Sequence, residues 1–345
     1  MDVTAYAVAS ATSPFAKTVI ERREPGPGDV LIEISHCGIC HSDIHTARDE
    51  WGGTRFPIVP GHEIVGTVRE VGSDVTRHRI GDRVGVGCLV ESCRTCDYCL
   101  KGEEQFCRRR VGTYSGVGKD GRPTAGGYST HIVVDEAFVV GVPEGISSAE
   151  AAPLLCAGIT VYSPLRHWGA GPGKRVAIVG MGGLGHMAVK IASALGADVT
   201  VLSQTLSKQA DGRSFGARDF RATSDPATFG ELRRSFDLIL NTVSVAFDVD
   251  AYLSLLDVDG ALINVGAPSE PVSLKISSLF NGRRTFAASP IGGLPETQEM
   301  LDFCAAHGLG AQVEVISADQ IDAAYDRVVA SDVRYRFVID AATMG

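Results

Sequence analysis

The sequence has no long run of basic residues, and its net charge is −9. That argues against nucleic acid or an anionic membrane as the main partner. No segment approaches the roughly 18 uninterrupted apolar residues that a membrane helix needs. Met1 to Ser10 has neither a basic start nor an apolar stretch, so no signal peptide is expected. Low-complexity tracts and internal repeats are also missing. What remains is a globular composition, 44% hydrophobic and 21% charged, in a chain of 345 residues. That length is too great for one ordinary core, so two domains are expected.

Two residue types are plentiful. The 40 glycines suggest many turns and close backbone approaches. The nine cysteines are odd in number, and four of them crowd together. Without a secretion signal, that pattern reads as metal ligands in a reducing cytoplasm, not as disulfides. Cys93, Cys96, Cys99 and Cys107 supply four soft ligands at short spacing. Four thiolates around one tetrahedral zinc make a closed, structural site. An iron–sulfur cluster is the rival, since it also takes four cysteines.

A second constellation begins at Cys40-His41-Ser42-Asp43-Ile44-His45, which packs a thiol, two imidazoles, a hydroxyl and a carboxyl into one short stretch. Gly61-His62-Glu63 follows a Pro57–Pro60 segment at the start of a strand. Cys40, His62 and Cys156 would make a Cys2His set, which leaves one position of a tetrahedral zinc open for substrate.

The pattern along the chain divides it. Residues 1–156 read as mostly β, with strands at Val30–Ile34, at Glu63–Val68 and after Gly81. Ser147-x-x-Glu150 has capping-box spacing and should start a helix that carries Cys156. From about Lys174 the pattern alternates between strand and helix. Strands are expected at Arg175–Gly180, Asp198–Leu202, Asp237–Leu240, Ala261–Val265 and Thr285–Ala288, which implies a doubly wound parallel sheet over 157–293. Residues 294–345 return to mixed structure and should pack on the first domain.

Gly180-Met181-Gly182-Gly183-Leu184-Gly185 matches G-x-G-x-x-G between a strand and a helix, the context that marks a dinucleotide loop. The free N–H groups of the helix start would face the pyrophosphate. An acid at the end of the second strand would bind the ribose hydroxyls of NAD and repel a phosphate. The chain has Ser203-Gln204-Thr205-Leu206-Ser207-Lys208 instead, which suits the 2′-phosphate of NADP(H).

The run Gly61-His62-Glu63-x2-Gly66-x5-Gly72-x2-Val75 resembles the zinc signature of the medium-chain alcohol dehydrogenases. Cys40–Asp43, the four-cysteine lobe and Cys156–Thr160 fall where that family has them. Pro123–Tyr128 and Ile291–Gly293 are similar to its NADP-dependent branch, which contains the cinnamyl alcohol dehydrogenases. The resemblance spans the whole chain. It implies an α/β protein: a GroES-like β-rich catalytic domain with a structural zinc lobe at 88–112, and a Rossmann cofactor domain.

The resemblance also implies residue roles. Cys40, His62 and Cys156 ligate a catalytic zinc, and Cys93, Cys96, Cys99 and Cys107 a structural one. Glu63 lies beside the metal, and Asp43 orients His62. His41 reaches the cofactor pyrophosphate, Thr160 packs near the nicotinamide, and Ser203, Thr205 and Lys208 contact the 2′-phosphate. Arg336 touches a phosphate or makes a surface ion pair. Zinc as a Lewis acid lowers the pKa of an alcohol. Ser42 and His45 then relay the proton by way of the cofactor ribose, and a hydride passes to the nicotinamide. Trp51 and Ile291 are pocket candidates, together with the Thr113-Tyr114 region.

The stretch Arg109–Tyr114 lacks the tryptophan usual in plant cinnamyl alcohol dehydrogenases, so aromatic and medium aliphatic aldehydes are expected more broadly. A polyol dehydrogenase, or a non-catalytic nucleotide-binding protein with one structural zinc, is the alternative. A homodimer or homotetramer through an edge strand near Arg284–Ser289 follows from the same resemblance. Cys37, Cys88 and Cys304 are read as buried packing.

Overall fold

The computed structural model describes every residue except Ser269. The chain divides into two compact units. One comprises Met1–Cys156 and Gly292–Gly345, the other Ala157–Ile291.

The first unit is organised on the strand Asp29–Gly38, whose apolar residues Val30, Leu31, Ile32 and Ile34 are all buried. Ile64–Val71 pairs antiparallel along one side of it, and Arg83–Val86 and Val140–Gly141 extend the sheet beyond. The other side is shared. His131–Asp135 takes the first half of the strand, and Arg336–Asp340 takes His36, Cys37 and Gly38. Val313–Ile316 then pairs parallel with Arg336–Asp340. The C-terminal segment therefore belongs to the sheet of the N-terminal one, which is how Arg336 arrives near residues from the start of the chain.

Two short helical elements carry site residues in this unit. His41–Ala47 starts at Cys40, with the carboxylate of Asp43 accepting from the Cys40 backbone N–H at 2.9 Å. Such a reciprocal cap fixes the entry of a helix too short to hold itself. Ser147 and Glu150 form the expected capping box. The helix it opens is short, however. Ser148–Ala151 tightens into a 3-10 turn over Ala152–Leu155, and Cys156 sits outside helical geometry before Ala157–His167 begins. Cys156 is thus at a break between two helical pieces, not within one.

The second unit is a six-stranded sheet of parallel neighbours. Its order is Asp219–Ala222, Asp198–Ser203, Arg175–Val179, Phe236–Asn241, Leu256–Asn264, Thr285–Ala288. The order reverses between Arg175–Val179 and Phe236–Asn241, which is the switch point where doubly wound sheets bind nucleotides. Leu202, Ile239, Leu253, Leu255 and Leu262 are fully buried in its core. The strand Asp219–Ala222 was not expected. It has one large apolar side chain, Phe220, and so little strand signal of its own. Among the described residues no helix is long and apolar enough to cross a membrane.

Candidate active site

Cys40, His62, Glu63 and Cys156 offer donor atoms that all lie within 4.8 Å of one another, and all four residues are buried. Cys40 comes from the helix start, His62 and Glu63 from the approach to Ile64–Val71, and Cys156 from the helical break. The Cys40 and Cys156 sulfurs are 3.9 Å apart. With Zn–S near 2.3 Å, two thiolates on a tetrahedral zinc lie about 3.8 Å apart. His62 Nδ1 is 3.0 Å from Asp43 Oδ1, so Nε2 is the nitrogen left for a metal. One oxygen of Glu63 receives the Arg336 guanidinium, while the other, Oε2, is buried with no partner in the protein. A buried carboxylate oxygen without a donor is costly unless something positive meets it. The donor set fits a zinc ion.

Electrostatics support the same reading. The hydrogen bond from Cys156 and the nearby His62 hold the Cys40 thiol well below its usual range, against burial. Bonds to Cys40 and Cys88, together with burial, push the Cys156 thiol up. Burial alone would lower His62, but Asp43 and the Cys88 and Cys40 sulfurs outweigh it and raise the imidazole well above its ordinary value. Cysteine and histidine donors must give up their protons to bind a metal, so metal binding at this cluster is coupled to proton release.

Asp43 is fully buried and collects donors. Beyond Cys40 N–H and His62, it accepts from the Gly61 N–H at 3.1 Å and the Tyr128 hydroxyl at 3.4 Å. Ser42 and His45 lie three positions apart on the same helix, both half-buried, and His41 is exposed. His45 Nδ1 is bonded to the carboxylate of Glu50, a partner not singled out in the sequence. A five-residue spacing from His45 was its only signal. Trp51 was expected as a pocket wall. Its ring sits 4.9 Å from the His45 ring, and the residue is 52% exposed. The Tyr114 ring is 5.6 Å from that of His62.

Two further expectations change. Arg336 is neither at the surface nor free, because its guanidinium is buried against Glu63. The expected surface ion pair is a buried one, since Arg336 opens a central strand. Cys37 and Cys304 are buried as expected, but Cys88 is half-buried and bonds the Cys156 sulfur, which with His62 lowers its thiol.

The four cysteines of the lobe form a second cluster with all sulfurs within 4.8 Å, and none is in a disulfide. Cys93 and Cys99 sulfurs are 3.8 Å apart, and Cys96 and Cys99 3.5 Å. Backbone N–H groups of Thr95 and Cys96 hold the Cys93 thiol down to about 5. The helix Asp97–Leu100 inside the lobe buries no residue, so packing alone does not hold it. The cluster fits a closed tetrahedral zinc.

In the second unit, Gly180 has φ of +91°, and a Cβ on Gly185 would meet the Gly180 carbonyl oxygen at 2.2 Å. A Cβ on Gly182 would meet nothing, so the backbone there is open to approach. Gly183 begins the helix Gly183–Ala194, followed by Leu184, and no side chain caps it. Its free N–H groups fit a pyrophosphate. Ser203 ends the second strand of this unit, Thr205 and Ser207 hydroxyls are 3.0 Å apart, and Lys208 Nζ donates to the Met181 carbonyl in the glycine loop at 3.0 Å. Thr160 is buried in Ala157–His167, and Ile291 is half-buried at the end of the unit.

Comparison with known proteins agrees with this geometry. Residues 26–144 match the alcohol dehydrogenase GroES-like domain, and residues 183–306 match the zinc-binding dehydrogenase domain. The chain is 59% identical over 344 residues to NADP-dependent alcohol dehydrogenase C 1 of Mycolicibacterium smegmatis, covering 99% of each. The chain belongs to the zinc-dependent medium-chain alcohol dehydrogenases. Within that family it falls in the cinnamyl alcohol dehydrogenase-like branch. It resembles the structure of a cinnamyl alcohol dehydrogenase from Sorghum bicolor with a TM-score of 0.96 at 42% identity, covering 99% of this chain and 98% of that one. A CAD from Helicobacter pylori, solved in complex with NADP(H), matches with a TM-score of 0.94 at 40% identity, covering 99% of each.

Proposed function

We propose that the chain is a zinc-dependent, NADP(H)-linked oxidoreductase that interconverts primary alcohols and aldehydes, with aromatic and medium aliphatic substrates. The observation that carries this is the convergence of Cys40, His62 and Cys156 on one buried point, beside a separate four-cysteine cluster. Three protein ligands leave a position for substrate, whereas four do not. When bound, zinc supplies Lewis acidity and NADP(H) supplies or accepts the hydride.

The chain's own residues do the rest. Asp43 fixes the tautomer and direction of His62. Ser42 stands two residues after a metal ligand, where its hydroxyl takes or returns the proton of the substrate oxygen. His45 stands one helical turn on and exchanges that proton with solvent, its Nδ1 held by Glu50. All the donor residues are buried, so a metal held there would be shielded from bulk water.

The glycine loop at 180–185 receives the pyrophosphate, a role that the family resemblance also gives to His41. Ser203, Thr205 and Lys208 favour the phosphorylated cofactor, with no acid at that strand end to oppose it.

The reading extends to assembly and place. Thr285–Ala288 is the edge strand of the cofactor sheet and is only partly covered. Its open edge supports a homodimer or homotetramer formed there. The free cysteines suit a reducing cytoplasm.

Initial rates with a panel of aldehydes, each run with NADPH and with NADH, test the function. Turnover of aromatic aldehydes with NADPH preferred is expected. Activity confined to sorbitol-like substrates, or clear preference for NADH, would reject it.

A further inference from the structure

The sequence Pro123-Thr124-Ala125-Gly126-Gly127-Tyr128 touches no metal, yet it is paired residue by residue with the segment that delivers His62. Gly126 N–H donates to Val59 at 2.8 Å, Gly127 N–H to Gly61 at 2.8 Å and Tyr128 N–H to Pro60 at 3.0 Å. The fit leaves no room for side chains. A Cβ on Gly126 would lie 2.3 Å from the Pro60 carbonyl oxygen, and one on Gly127 would lie 2.4 Å from Ile64 Cγ1 and 2.7 Å from Cys37 Sγ. On the inner side, the Tyr128 hydroxyl donates to Asp43, the carboxylate that holds both Gly61 N–H and His62 Nδ1. The Tyr325 hydroxyl donates to that of Tyr128 at 3.2 Å, and the Phe15 ring lies 5.8 Å and 5.1 Å from the two tyrosine rings.

The outer side is gripped by Arg22, which directly follows the strand Ala16–Glu21, itself paired antiparallel with Asp2–Ala7. Arg22 donates to the Ala125 and Gly126 carbonyls at 2.6 and 2.8 Å and to the Ser129 hydroxyl at 2.9 Å. Burial lowers this guanidinium to about 10, and its Nε has no partner. Among the described residues no carboxylate pairs with it. A cation held at such a cost is spent on two backbone carbonyls and one hydroxyl.

We propose that the 125–128 turn is a template that sets the position of His62 at the metal, with Arg22 and Tyr128 as its outer and inner positioning residues. The proposal rests on the reading of Cys40, His62 and Cys156 as the catalytic zinc site. Partners that orient a metal-binding histidine typically change metal affinity by about 10–100-fold. Acting one contact further out, Arg22 and Tyr128 belong at the low end of that range.

The test uses the full chain loaded with two zinc ions, with each zinc followed separately as it is released to a chelator. Wild type must first hold two zinc ions per chain. If it holds one, the site reading itself fails, and the template proposal falls with it. With two present, Tyr128→Phe and Arg22→Gln are expected to release the catalytic zinc about tenfold faster, with the four-cysteine zinc unchanged. Arg22→Lys, which keeps a cation on the turn, should recover part of the loss. The visible absorption of cobalt substituted at the Cys2His site should shift in the same two variants. Wild-type release and an unshifted cobalt spectrum in Tyr128→Phe would overturn the proposal. So would equal loss of both zinc ions, which marks general loosening of the fold. If Arg22→Gln does not fold, Tyr128→Phe decides alone, because it removes only a hydroxyl.

Discussion

Arg336 and Glu63, 273 positions apart in the chain, form a buried ion pair beside the Cys40–His62–Cys156 cluster. Arg336→Met would leave a carboxyl buried without its cation. Breaking such a pair from one side costs about 3–5 kcal/mol. Urea denaturation of the metal-free protein should show a loss of that order, and the double variant with Glu63→Gln should recover part of it.

The same carboxyl predicts a pH dependence. Burial raises Glu63 from 4.5 to about 7, and Arg336 opposes the rise. A carboxyl that keeps its proton longer in the folded than in the unfolded chain makes folding less favourable as pH rises. The metal-free protein should therefore lose stability as pH climbs from 4.5 to about 7, relative to a Glu63→Gln variant that lacks this group. Denaturation midpoints of the two proteins across that window measure the difference.

Asp43 serves three donors besides the Tyr128 hydroxyl: Cys40 N–H, Gly61 N–H and His62 Nδ1. In Asp43→Asn the amide nitrogen must face at least one of them. Catalytic-zinc affinity should fall about 10–100-fold, with the four-cysteine zinc retained. Metal analysis after graded dialysis against a chelator distinguishes the two ions.

Much of this was legible in local sequence. Cys93-x2-Cys96-x2-Cys99 and the glycine loop each place their chemistry within one turn, so spacing carried the inference, whereas the grouping of His62 with Cys40 and Cys156 rested on the family resemblance. The parallel sheet was legible for the same reason, since its strands at Arg175, Asp198 and Asp237 are short apolar runs. What could not be read depends on contacts across the chain. Arg336 reaches Glu63 because the last strand pairs with His36–Gly38, which no spacing reveals. Tyr128 and Tyr325 meet 197 positions apart. Cys156 stands outside a helix because the turn over Ala152–Leu155 tightens before it, although the capping box at Ser147 pointed to a continuous one.

The structural lobe offers a metal-removal test. Its helix Asp97–Leu100 buries nothing, and Tyr98, Leu100 and Phe106 are exposed. Cys96→Ser, or chelation of the four-cysteine zinc, should raise hydrogen exchange across residues 93–107 while the strand Asp29–Gly38 stays protected. Exchange measured by mass spectrometry would show it, and unchanged protection in the lobe would argue against a metal there.

In the proposed relay Ser42 passes its proton on to His45, whose Nδ1 is bonded to Glu50. His45→Ala should lower kcat by about 10²-fold, the low end for a lost proton-transfer group, and flatten the pH dependence of the rate. Glu50→Gln, which weakens the hold on His45, should fall between it and wild type. An unchanged pH–rate profile in His45→Ala would remove the residue from the mechanism.

Turnover is proposed to depend on a metal held by Cys40, His62 and Cys156, apart from the four-cysteine zinc. The most direct measurement is the rate of NADPH oxidation with an aromatic aldehyde, followed while zinc is returned to a protein that retains only its four-cysteine ion. No activity is expected at one zinc per chain, with a rate that rises in proportion to the second and saturates at two. Full activity at one zinc, or none at two, would contradict the proposal.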